Sequence, residues 1–192
     1  GEDRHAAADS RVVCRIMAEA PCRCESAGDT AIDMYAPGRS CRLRMPDISL
    51  SRPPAWNALG ESWRGLEARA RASFFCSWSW VGCAAARRFT DPLLLEAKLE
   101  GRTVALGLFN RRRRGPFSAG LWLNESGDPA LDGVYVEHNG LLVEHGLEAQ
   151  VLPGALGWLA RQGQRVVMSG VDEAHVAAAQ ATGALLHRRN HP

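Results

Sequence analysis

Two apolar runs, Leu93–Leu99 and Thr103–Phe109, are separated only by Glu100-Gly101-Arg102. So short a connection joins antiparallel strands, and its glycine supplies the positive φ that tight hairpin turns require. The pair predicts a hairpin at the middle of the chain, and everything else must be arranged around it. Leu121-Trp122-Leu123, Val134-Tyr135-Val136, Leu141-Leu142-Val143 and Val166-Val167-Met168 read as further strand pieces. Asn57 is a candidate cap for a helix with Leu59, Trp63, Leu66 and Ala70 on one face, and Ser77 for a second with Trp78, Val81 and Ala85. The linking Ser73-Phe74-Phe75-Cys76 is short and apolar, so burial is expected. Leu152, Leu156 and Leu159 mark a third helix; proline is tolerated in the first helical position, so Pro153 places its start near 152–153. Asp172 caps a fourth, alanine-rich helix ending at Gly183. Arg111–Arg114 are expected to leave the sheet, and a strand beginning at Leu185-Leu186 to stop at His187.

The resulting order, ααβββββαβα and then an interrupted β, is not that of a doubly wound parallel sheet. It predicts an α/β (α+β) fold: a mixed, largely antiparallel sheet with flanking helices. The first 44 residues show no sustained helical or alternating period. They are read as disordered, or as sequence foreign to the domain that follows, with a regulatory arm as the alternative. The domain itself is assigned to residues 45–192.

Composition narrows the function classes. With 46% apolar and 23% charged residues, this is the make-up of a globular protein. The net charge is +2, which provides no global field for nucleic acid. No stretch reaches the roughly 18 to 20 apolar residues of a membrane helix, and charges interrupt the N-terminal region where a signal peptide would need an apolar core. A cytoplasmic product without membrane partners is the expectation. Four of the six cysteines follow a C-x7-C-x-C-x16-C pattern, which suits zinc poorly, and no metal is expected. His145, His175 and His187 have no partners at metal-ligand spacing.

The segment Ser73-Phe74-Phe75-Cys76-Ser77-Trp78-Ser79-Trp80 resembles a motif near the start of CelD/BcsL-type acetyltransferase-like proteins, with Cys76 where those have glutamine. The similarity continues through Leu93–Arg114, Val134–Val143 and Met168–Glu173. These proteins are related to the GNAT and FemAB-like acyltransferases. The resemblance implies a GNAT-like fold, an acetyl-CoA or other acyl-CoA donor, and a small-molecule acceptor with an amine or hydroxyl. Members are about twice this long, so the chain is expected to be a front half, truncated where the donor-holding part begins. That implies a missing C-terminal half, or self-association through uncovered surface, as its partner.

Tested residue by residue, the donor loop is not found. GNAT enzymes hold the CoA pyrophosphate with a glycine-rich loop running into a helix N-terminus. Gln180-Ala181-Thr182-Gly183 lies at a helix end of the wrong polarity, and Gln162-Gly163-Gln164-Arg165 leads into a strand. The best polar cluster is Glu137, His138 and Asn139. Acyl transfer to an amine needs a base working near neutral pH, which suits His138 or a desolvated Glu137, while Asn139 is a candidate substrate contact. A polar turn with a solvated histidine is the competing interpretation. Tyr135 is a candidate proton donor to a leaving thiolate, by the resemblance. Trp78 and Trp80 cannot share a helical face, which makes Trp78 a candidate groove residue. Arg111 heads a basic run able to grip phosphate. Three functions follow in order: an acyltransferase half, a non-catalytic module docking through a sheet edge, and a phosphate- or RNA-binding domain using Arg111–Arg114.

Overall fold

The computed structural model describes the backbone of residues 10–16, 44–113, 119–132, 136–183 and 185–190, and side chains in the three central segments. In chain order the elements are β1 (Ser10–Ile16), β2 (Asp47–Ser51), α1 (Trp56–Glu67), a 3-10 turn (Phe74–Cys76), α2 (Trp78–Arg88), β3 (Pro92–Leu99), β4 (Arg102–Arg113), β5 (Ala119–Leu123), β6 (Leu142–Val143), α3 (Glu148–Arg161), β7 (Arg165–Ser169), α4 (Glu173–Gln180) and β8 (Leu185–Asn190). The strands form one mixed sheet in the order β2-β3-β4-β5-β7-β1-β8, with β6 also pairing on β4. Every pairing is antiparallel except β5 with β7, where Gly120, Leu121 and Trp122 lie beside Arg165, Val166 and Val167. The fold is therefore the mixed, largely antiparallel α+β type.

The central hairpin forms as its sequence predicts. Glu100 (φ 53°) and Gly101 (φ 80°) both take left-handed geometry, a two-residue turn whose twist matches the flanking strands. β3 is buried on both faces, so its apolar run is continuous instead of alternating. Leu93, Leu95 and Ala97 meet α3 and α4 through Leu152, Leu156, Leu159 and Ala178. Leu94, Leu106 and Leu108 meet α1 and α2 through Leu59, Trp63, Leu66 and Val81. Trp63, fully buried, donates its Nε1–H to the Cys76 carbonyl at 2.9 Å and so ties the 3-10 turn to α1. The Trp78 indole lies against both Gly60 and Gly82, where an added Cβ would come within 2.7 Å of it. Two of the three expected caps form: Ser77 accepts from the Trp80 N–H, and Asp172 from the His175 N–H.

Several expectations are corrected. Within the first 44 residues, Ser10–Ile16 is a strand held between β7 and β8; residues 1–9 and 17–43 lie outside the described residues. α1 begins at Trp56 behind Ala55, so Asn57 sits inside the first turn and caps nothing. Arg111–Arg113 do not leave the sheet but extend β4 alongside β5, with Arg111 paired to Asp91 and Arg112 to Asp128. α3 starts at Glu148 and carries Pro153 inside it. Only the Ala149 carbonyl loses its intrahelical donor, on an exposed face, while Val151, Leu152, Ala155 and Leu156 stay buried. β8 continues through His187–Asn190 instead of stopping. Of the linking segment expected to be buried, Cys76 is buried but Phe74 is 63% exposed; Cys83 on α2 is exposed. Val136 lies outside any strand, and Val134 and Tyr135 fall outside the described residues. Among the described residues no helix is long and apolar enough to cross a membrane.

Candidate functional site

The carboxyl ends of a parallel strand pair are where an α/β sheet opens a crevice, and here that place belongs to β5 and β7. The segment Val136–Leu141 threads across it. Asn139 is fully buried and joins the two strand ends: its backbone N–H donates to the Gly170 carbonyl at 2.8 Å, and its Nδ2 to the Leu123 carbonyl at 3.0 Å. Asn124, left-handed at φ 54°, donates from Nδ2 to Asn139 Oδ1 (2.9 Å) and to the Gly140 carbonyl (3.2 Å). Close approach needs glycine on both sides. A Cβ on Gly170 (φ 64°) would stand 2.0 Å from the Val136 oxygen, and one on Gly140 would stand 2.4 Å from the His175 ring.

His138 sits on this segment at φ 50°, a conformation uncommon for a side-chain-bearing residue and concentrated at functional sites. Its carbonyl is held from below by Ser73 Oγ at 2.9 Å and by the Cys76 thiol at 3.4 Å. Its side chain is exposed and borders two openings. One is a cavity of about 250 Å³ whose polar lining includes Arg71, Ser73, His138, Glu148 and Asp172, against apolar walls from Leu141, Leu142, Val143 and Leu152. The other is a cleft bordered by Glu137, Gly170, Val171, Asp172 and Glu173. His138 and Asp172 line both.

Two groups that look reactive are committed to structure. His175 Nε2 accepts the Leu141 N–H at 2.9 Å, so that nitrogen carries no proton; Nδ1 then bears it and donates to Asp172 Oδ1 at 2.6 Å. With both nitrogens engaged, the buried His175 positions Leu141 and is not free to act as a base. Burial raises the Asp172 carboxyl, but hydrogen bonds from the His175 ring and backbone N–H more than offset this, leaving it below the ordinary value. Burial pushes the Cys76 thiol up to about 11 against the lowering effect of its hydrogen bonds, so it remains protonated and non-nucleophilic.

The residues singled out from sequence divide accordingly. Glu137 and His138 border the openings, and Asn139 is the buried tie beneath them. Trp78 packs between α1 and α2 against Trp56 and Trp63, away from the cavity. Arg111 donates to Asp91 at 2.7 Å and does not line the cavity either. Tyr135 lies outside the described residues. Ser73, Asn124, Gly170 and the Asp172–His175 pair were not singled out for this site. The i, i+3 spacing of Asp172 and His175 was the one local signal; the others meet only through the fold.

The diphosphate of an acyl-CoA favours backbone N–H groups at a helix N-terminus. The three helices that begin beside this site carry acids or a cap there, which meet part of those N–H groups. α2 has Ser77 and the Glu67 carboxylate, which accepts the Trp78 N–H at 3.1 Å. α3 opens with Glu148, which accepts from the Gly146 N–H at 2.8 Å, and α4 with Asp172 and Glu173. Carboxylates at these positions repel a diphosphate. Among the described residues, no group of three or more His, Cys, Asp or Glu side chains is placed to hold a metal ion.

No protein-family model matches the chain, and no curated protein does. Among solved structures, it is similar to a protein of Novosphingobium aromaticivorans DSM 12444 described as an acetyltransferase from the GNAT family, at 12% identity and a TM-score of 0.35. The match covers 94% of this chain and 61% of that one, so this chain spans about three-fifths of that protein's length. A TM-score this low assigns neither fold nor activity, which rest here on the chain's own residues.

Proposed function

We propose that this chain forms the acceptor-binding part of a GNAT-like acyltransferase of the CelD/BcsL type, with the acyl donor held by a further half. The observation that carries this is the cavity between the 71–76 turn, the 138–143 segment and the starts of α3 and α4, which combines an accessible imidazole with apolar walls and has acids at both helix starts. The sequence resemblance supplies the reaction class. In this scheme His138 receives the proton that an acceptor amine or hydroxyl gives up, as a general base does. Glu137 flanks it at the neighbouring cleft, and Asn139 and Asn124 hold the segment in register beneath it.

The test is a thiol-release assay with acetyl-CoA and a panel of amines and alcohols, using this chain alone and a form extended by the downstream coding sequence. Turnover is expected only from the extended form. Changing His138 to Ala should lower kcat by about 10²- to 10⁴-fold, the usual contribution of a general base. Full activity of the extended His138→Ala form would remove His138 from this role. Absence of turnover with every acceptor would count against the acyltransferase assignment itself.

The non-catalytic module remains the second reading. The arginine run is less suited to phosphate than its sequence suggests, because Arg111 and Arg112 are ion-paired with Asp91 and Asp128 at 2.7 and 2.9 Å.

A further inference from the structure

Two shielded polar atoms on the α2 side of the Asn124–Asn139 tie lack a protein partner. The Trp80 indole N–H is closed off from solvent and meets no acceptor among the described residues. Oδ1 of Asn124, a residue only 3% exposed, meets no donor there. Asn124 Nδ2 donates to the Gly140 carbonyl, which can only accept, so the unpaired end of this amide is its oxygen. Both side chains are held in place. Phe74 and Phe75 stand 5.7 and 5.1 Å from the Trp80 ring, and Asn124 Nδ2 is engaged by two acceptors. Trp80 and Asn124 line one cavity of about 10 Å³, with Ala84, Phe89 and Val136 also on its wall. That is room for a single water and for nothing larger. Leaving a buried donor and a buried acceptor both unmade is costly, and one molecule can satisfy the two.

We propose that one internal water bridges Trp80 Nε1 and Asn124 Oδ1. The water accepts from the indole N–H and donates to the amide oxygen. A cation would face the indole proton and an anion the amide oxygen, so neither suits both partners. The bridge fastens α2 to the Asn124–Asn139 tie, and through it to the segment that carries His138. It is independent of what the larger cavity binds.

A high-resolution crystal structure should show a density peak within about 3.2 Å of both atoms. Water-detected NMR on the full chain needs no crystal. The Trp80 indole proton is expected to give water cross-peaks of opposite sign in NOE and ROE spectra, as contact with a slowly leaving water does. The Trp63 indole, bonded to the Cys76 carbonyl, should give none. Trp80→Phe, which keeps an aromatic ring, should speed hydrogen exchange at the Asn139 N–H about three- to tenfold and change the Leu106 N–H by less than about twofold. The proposal is overturned by a structure with no peak between the two atoms. Trp80 cross-peaks of one sign, the mark of proton exchange, or none at all, would overturn it too. Equal acceleration at Asn139 and Leu106 would overturn the link to the His138 segment.

Discussion

Asn139 concentrates more structural consequence than any other polar residue described here. Truncating it to Ala strips the Leu123 carbonyl of its side-chain donor and the Asn124 amide of one of its two acceptors, each in a buried place. The expected cost is about 2–4 kcal/mol in urea unfolding, against under about 0.5 kcal/mol for Glu137→Ala on the exposed neighbouring position. Asp172 should shape the acid limb of stability. Its folded pKa lies below the ordinary value, so its contribution is present above the unfolded value and fades as the pH falls toward and through the folded one. Asp172→Asn should flatten the loss of stability below about pH 4, measured by urea titrations at several pH values, while costing part of the α4 cap at neutrality. Cys76 and Cys83 should part company under iodoacetamide at pH 8: peptide mapping is expected to find Cys83 alkylated in the native protein and Cys76 only after unfolding. At this scale the sequence localised the polar cluster at 137–139, because those residues interrupt an apolar region. It could not tell which of the three would be buried. That depends on the Gly170 carbonyl and on Asn124, both distant in sequence.

Elements were legible where the side-chain pattern was strong and the turn chemistry was local. The β3–β4 hairpin follows from two apolar runs and one glycine, and the caps at Ser77 and Asp172 follow from residue type. β2 was overlooked although Asp47-Ile48-Ser49-Leu50-Ser51 alternates out and in along its length. Five residues with two modest inward hydrophobes are too short a window to stand out. Proline's preference for the first helical position points to a start near 152–153, but burial of the apolar face outweighs one lost hydrogen bond and α3 begins at Glu148. The α1–α2 pair offers a test at this scale. Gly82→Ala gains about 1 kcal/mol of helix propensity but drives a methyl to within 2.7 Å of the Trp78 ring, which Gly60 and Trp63 confine from other sides. A net loss of about 1–2 kcal/mol in thermal or urea unfolding is expected. Trp78→Leu should then cost less in the Gly82→Ala background than in the parent, since the two changes share one contact.

For the whole molecule, the order of helices and strands sufficed to predict a mixed, largely antiparallel sheet, and it did not reveal the one parallel pairing. β5 and β7 are brought side by side after more than forty intervening residues, by the crossover through α3 and by burial of Leu121, Trp122, Val166 and Val167. Asn139 fastens the Val136–Leu141 segment to the ends of that pair, and residues of the segment line the cavity together with the acid-bearing starts of α3 and α4. The central proposal is that these residues make an acceptor cavity, with the acyl donor held elsewhere. Titration calorimetry of acetyl-CoA into this chain tests it most directly. The expected result is no saturable heat up to millimolar ligand. Saturable binding of acetyl-CoA, competed by free CoA and weakened by changes at Gly170 or Asp172, would contradict the account.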